Sequence, residues 1–161
     1  MNHPRVLNIR QWIEKAIRYC NIQERCVSEM ERKLRQWGCD KEKTKDVLEQ
    51  LIKNKHIDEQ RYANSFAQGK FRIKKWGRLK IMAALHHANI PANLIENALR
   101  QIDEVEYRQT LIDMLTKKWK LTSGDPGARI NKTATFAVGK GYEAPMVYEI
   151  IKTINIDNDN N

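Results

Sequence analysis

Six cations crowd into eleven residues of this 161-residue chain. In KFRIKKWGRLK they are Lys70, Arg72, Lys74, Lys75, Arg78 and Lys80, with Phe71 and Trp76 set among them. Ammonium and guanidinium groups neutralise phosphates, and flat rings stack on unpaired bases. The chemistry these types suggest is the binding of an anion, with nucleic acid, or a protein coated on it, as the natural candidate. Arg61 raises the cations between Gln60 and Ile95 to seven, and that stretch contains no Asp or Glu. The rest of the chain holds 22 basic and 20 acidic residues, so most of the net charge of +9 belongs to this one segment. A smaller cluster, Lys117-Lys118-Trp119-Lys120, repeats the theme, and Arg61, Arg129 and Lys132 could extend the track. Trp76 would stack or anchor. The competing reading puts Trp76 and Trp119 in the core, where most aromatic rings lie.

Other chemistries find little support. Cys20, Cys26 and Cys39 are odd in number and form no CxxC pair, and the adjacent His86 and His87 diverge on any helix, so no metal site is expected. Three buried or half-buried thiols suit a reducing compartment. No GxxxxGK[ST] motif occurs, Gly139-Lys140-Gly141 reads as a short turn, and the basic segment lacks an acid for proton transfer. Neither an enzyme nor a cofactor is expected. The longest stretch free of formal charge, Ile81–Ile95, is broken by His86, His87, Asn89, Pro91 and Asn93, which argues against a membrane span. The amino terminus MNHPRVLNIR has no apolar signal-peptide core, so the expected location is the cytoplasm.

The elements that must position the cations are helices. Ile9, Trp12, Ile13, Ala16, Ile17 and Cys20 form one helical stripe; Thr44, Val47, Leu48, Leu51 and Ile52 form another, and Tyr107, Leu111, Met114 and Leu115 a third. Pro91, Pro126 and Pro145 stand where helices start. A repeat then emerges. Leu34, Leu85 and Ala137 align at spacings of 51 and 52 residues, followed by Gly38, Asn89 and Gly141, then Cys39, Ile90 and Tyr142. Val47, Ala98 and Ile150 continue the register, and Leu51, Ile102 and Ile154 close it. Each copy reads as helix, tight turn, helix, with Gly or Asn supplying a left-handed residue after the first helix. A further helix precedes each copy, at about 9–20, 58–74 and 104–120. The expected fold is all-α: three tandem three-helix repeats forming an elongated, curved array. The units are placed at 1–56, 57–103 and 104–156, with a disordered tail at 157–161. The corners resemble a helix-turn-helix, but Lys41–Lys53 and Ala92–Gln101 are too weakly basic to read a major groove.

On these residues the chain resembles the RecX regulatory proteins. The string Ile57-Asp58-Glu59-Gln60-Arg61-Tyr62-Ala63-Asn64-Ser65-Phe66 looks like the central signature of that family, as does Trp76-Gly77-Arg78-Leu79-Lys80-Ile81. Gln23-Glu24-Arg25-Cys26, Glu29-Met30, Lys33-Leu34 and Trp37-Gly38 resemble its first unit, where Ser often stands in place of Cys26. The likeness runs from about Trp12 to Ile154, loosely in the third unit, and Asn89 replaces a usual Gly. Cys26 with Glu29 reads as a variant capping box, Asp58 as a helix cap with Arg61 in the first turn, and Tyr62, Phe66 and Ile73 as the core stripe of the following helix. Arg61 and Arg72, three turns apart, would share a flank beside that stripe.

The resemblance implies a modulator of the RecA recombinase in recombination and DNA repair. Such a protein binds RecA filaments on single-stranded DNA and lowers ATP hydrolysis and strand exchange. Several family members also bind DNA directly, duplex included. The expected partners are therefore a RecA filament and DNA, with no membrane, and the expected state is a monomer. The alternative is a general DNA-binding helical module with no RecA partner, which needs only the basic segment.

Overall fold

The structure, a computed structural model, describes residues 6–159, and every helix or strand among them is α-helical. The helices are α1 Ile9–Cys20, α2 Val27–Gln36, α3 Lys41–Lys53, α4 Glu59–Lys74, α5 Arg78–His87, α6 Ala92–Arg100, α7 Glu104–Leu121, α8 Pro126–Gly139 and α9 Ala144–Asp159. They pack chiefly in threes: α1 and α2 on α3; α4, α5 and α6 mutually; α7, α8 and α9 mutually. The expected all-α chain of tandem three-helix units is what forms. No described helix is long and apolar enough to cross a membrane. Of the tail expected at 157–161, α9 takes in the backbone to Asp159, and Asn160 and Asn161 lie outside the described residues.

The register of the repeat is visible in the turns. Gly38, Asn89 and Gly141 all have positive φ, at 86°, 60° and 99°. The next residue in each copy donates its backbone N–H five residues back: Cys39 to Leu34, Ile90 to Leu85 and Tyr142 to Ala137, at 3.0, 3.1 and 3.2 Å. These bonds satisfy carbonyls that a helix end leaves orphaned. The residue making the bond is buried in all three units, which sets the angle of the corner.

Two kinds of helix start recur along the chain. Asp40, Asp58, Asp103 and Asp125 each accept the N–H three residues on, at 2.8 to 3.0 Å, and so cap α3, α4, α7 and α8. Helices α2 and α5 begin at Cys26 and Gly77 with no side-chain cap. Their free N–H groups are satisfied by the following unit instead. Val27 N–H donates to Glu59 Oε1 at 3.2 Å. Gly77 and Leu79 N–H donate to the carbonyls of Lys140 and Gly141 at 2.8 and 3.0 Å, and Arg78 N–H donates to the Tyr107 hydroxyl at 3.0 Å. The unmet donors of one unit thus become its joint with the next.

This arrangement corrects the expected Cys26–Glu29 capping box. The Cys26 thiol is fully buried and rests 3.3 Å from Ser28 Oγ, while Glu29 Oε1 accepts the Tyr62 hydroxyl at 3.0 Å. Glu29 Oε2 is buried with no partner among the described residues. Burial pushes the Tyr62 hydroxyl well above the ordinary phenol range, so it remains a donor. Tyr62→Phe would strand the carboxylate, and an expected loss of about 1–2 kcal/mol is checked by urea denaturation.

The core stripe of α4 is also corrected. Tyr62 is buried and Phe66 partly so, but Ile73 is 78% exposed, and Ala63, Ala67 and Phe71 complete the buried face. Phe71, set among cations in the sequence, is 1% exposed and lies tilted against Tyr107, 5.6 Å between ring centres, and the Tyr107 ring in turn lies 5.0 Å from that of Tyr142. These rings tie the second unit to the third. One hydrophobic core therefore runs through α4 to α9, reaching back only to Cys26, while α1, α2 and α3 enclose a core of their own.

Candidate nucleic-acid interface

The cations of the acid-free segment separate by side-chain type. All three arginines find carboxylates from elsewhere in the chain. Arg61 Nε lies 2.6 Å from Glu24 Oε1 and donates to the Lys55 carbonyl, and Arg72 is 3.3 Å from Glu106. The Arg78 guanidinium pairs with Glu104 and Glu143 and lies 3.9 Å over the Tyr107 ring. An uncompensated cationic run was expected; folding supplies acids that the local sequence lacks. Arginine suits this work, because its planar fork meets carboxylates and rings in fixed geometry. Arg129, on α8, behaves alike: it lies 4.0 Å over Trp119 and donates to the Trp119 carbonyl, closing the end of α7.

None of the lysines in the candidate track is ion-paired among the described residues. They fall into two settings. Lys70 and Lys80 sit 4.9 and 4.6 Å from the half-buried Trp76 ring, which also meets Phe66 edge-on at 6.5 Å. Trp76 is thus an anchor flanked by cations and packed on the core, and Trp119 is fully in the core. Lys74 and Lys75, at the end of α4, face Lys117 and Lys118 of α7 and Lys140 of the α8–α9 turn across a hollow of about 590 Å³. Met114, Leu121 and Phe136 supply its apolar lining, and Asp113 its carboxylate. A second hollow of about 660 Å³ shares Lys118, Leu121 and Phe136 and continues past Lys132. Lys118 Nζ lies 4.8 Å from the Phe136 ring. Lys120 is exposed on α7.

Lysines of the two clusters picked out in the sequence therefore line one hollow. Lys75 reaches its place because it ends α4 in the left-handed conformation, φ 58°, and its carbonyl accepts the Tyr142 hydroxyl at 3.0 Å. Burial pushes that hydroxyl up to about 12, so it stays protonated and holds the joint beneath the lysines. Lys140 and Phe136 were missed in the sequence. Lys140 was read only as part of a turn, although its place before a positive-φ glycine marked it as lying at a corner.

The fold and this surface can be set beside known proteins. A family profile described as the first three-helix domain of RecX matches residues 13–51, and one described as its second three-helix domain matches residues 58–99. The chain belongs to the RecX family. It is 27% identical over 142 residues to the regulatory protein RecX of Prosthecochloris aestuarii, covering 88% of this chain and 92% of that one. The regulatory protein RecX of Chlorobaculum tepidum is 28% identical over 127 residues, 79% of this chain and 78% of its own. The crystal structure of RecX from Lactobacillus salivarius superposes with a TM-score of 0.80 at 21% identity, over 92% of this chain and 97% of that one, a likeness of fold. The RecX profiles end before α7, so the third unit, which completes the lysine hollow, lies outside them.

Proposed function

We propose that this chain is a regulator of the RecA recombinase, binding RecA filaments on single-stranded DNA and lowering their ATPase and strand-exchange activity. The observation that carries the reading is the tandem match to both RecX domains together with relatives named as regulatory proteins. The unpaired lysines of α4, α7 and α8 support it, since a filament on DNA presents phosphates and acidic protein surface together. The chain acts by occupancy rather than catalysis, as a cytoplasmic monomer needing no cofactor. Lys70, Lys74, Lys75, Lys80, Lys117, Lys118, Lys120 and Lys132 carry the contact, whereas Arg61, Arg72, Arg78 and Arg129 hold helices together. In a DNA-dependent RecA ATPase assay, adding this protein at micromolar concentration and low salt is expected to suppress hydrolysis progressively. Undiminished hydrolysis across the titration would overturn the proposal.

A further inference from the structure

The hollow bounded by α4, α7 and α8 has a composition that narrows its ligand. Five lysines face one carboxylate, and that carboxylate, Asp113, accepts from Gln109 at 2.8 Å. Between the charges stands apolar surface, including Leu121, which is 76% exposed. An acidic protein segment would satisfy the ammonium groups, but it would cover Leu121, Met114 and Phe136 only with apolar side chains spaced to match them. A duplex would offer phosphates while keeping its bases stacked inside. An unpaired nucleotide brings both an anionic phosphate and a flat, weakly solvated face. Flexible lysine stems suit a strand whose backbone shifts, where arginine forks would demand one geometry.

Building on the filament reading above, we propose that this hollow holds a short run of single-stranded DNA. Its phosphates lie against Lys74, Lys75 and Lys117, and a base lies on Leu121 and Phe136. The site belongs to two units at once, so it exists only while the joint between α5 and the α8–α9 turn is closed.

The test is fluorescence anisotropy of a labelled oligothymidylate about 20 nucleotides long, with the full chain and no RecA present. Lys74→Glu with Lys117→Glu is expected to weaken binding by about tenfold and to flatten the slope of log affinity against log salt by about 1.4. Lys41→Glu with Lys45→Glu, an equal charge change on α3, is expected to cost far less. Leu121→Ser alters an exposed side chain and is expected to weaken the oligonucleotide about fivefold. Binding of inorganic polyphosphate, which has no bases, should be unaffected by it. Circular dichroism confirms that each variant is helical. The proposal is overturned if the α4–α7 pair matches the parent in affinity and slope, or if the α3 pair loses as much. It also fails if Leu121→Ser leaves the oligonucleotide unaffected, or if polyglutamate displaces it more effectively than unlabelled oligothymidylate does. The last result would give the hollow to an acidic protein surface. The ATPase titration with unmodified protein judges the filament reading separately.

Discussion

Gly77→Ala is expected to destabilise the protein by about 3–5 kcal/mol. Nothing in the backbone of Gly77 forbids alanine, since φ is −78° and ψ 166°. Space forbids it. A Cβ there would lie 2.2 Å from the carbonyl carbon of Gly141, 2.3 Å from its oxygen and 2.4 Å from Tyr142 N, all main-chain atoms that cannot swing aside. Two chains approach so closely because Gly77 and Leu79 donate to Lys140 and Gly141 across the joint. Pushing them apart would break both bonds and strand buried donors at the start of α5. Gly141 faces the same obstacle from Lys80, at 2.4 Å, and adds a φ of 99°. The equivalent joint between the first two units tolerates a side chain: Cys26 is buried there, and Ser28 Oγ reaches the Ala88 carbonyl at 2.7 Å. Gly69→Ala serves as the contrast. Its Cβ would meet nothing within 4 Å inside α4, so a gain of about 0.5–1 kcal/mol is expected from the lower entropy of the unfolded chain. Urea denaturation followed by far-ultraviolet circular dichroism measures both, and a Gly77→Ala midpoint equal to that of the parent would refute the close-packed joint.

Arg78→Met should remove about 2–3 kcal/mol of stability while leaving the salt slope of DNA binding unchanged. Its guanidinium is the cation between Glu104 of α7 and Glu143 of the α8–α9 turn, and it covers the face of Tyr107. Tyr107 is fully buried, and burial holds its hydroxyl far above the ordinary phenol range, so it donates to Glu143 at 2.7 Å. Methionine would fill similar volume but leave Glu143, half-buried, facing Glu104 without a cation. The two readings of Arg78 part here. A phosphate contact would flatten the slope by about 0.7 on removal and spare stability. Denaturation and a salt titration on one variant decide between them.

Much of the architecture was legible before folding. Helical stripes placed α1, α4 and α7 to within a residue of their observed bounds, and the repeat register predicted three equivalent turns now seen as positive-φ residues with matching backbone bonds. These features are local: a stripe needs only a period, and a corner needs only a residue that accepts a left-handed backbone. The stripes erred at their edges. Ile73 points to water and Phe71 to the core, because the face that α4 buries is chosen by α6 and the rings of the third unit.

The sequence alone determined that this protein is an all-helical repeat with its cations concentrated in the middle unit. Tertiary structure decided which of those cations remain unpaired. Glu24, Glu104, Glu106 and Glu143 reach Arg61, Arg72 and Arg78 from 26 to 65 residues away, and no local window contains such pairs. It also brought Lys74 and Lys75 against Lys117 and Lys140, through a joint that depends on two glycines meeting backbone to backbone. Charge is a property of composition, but an ion pair or a binding hollow is a property of distance, which the chain acquires only when its units close on one another.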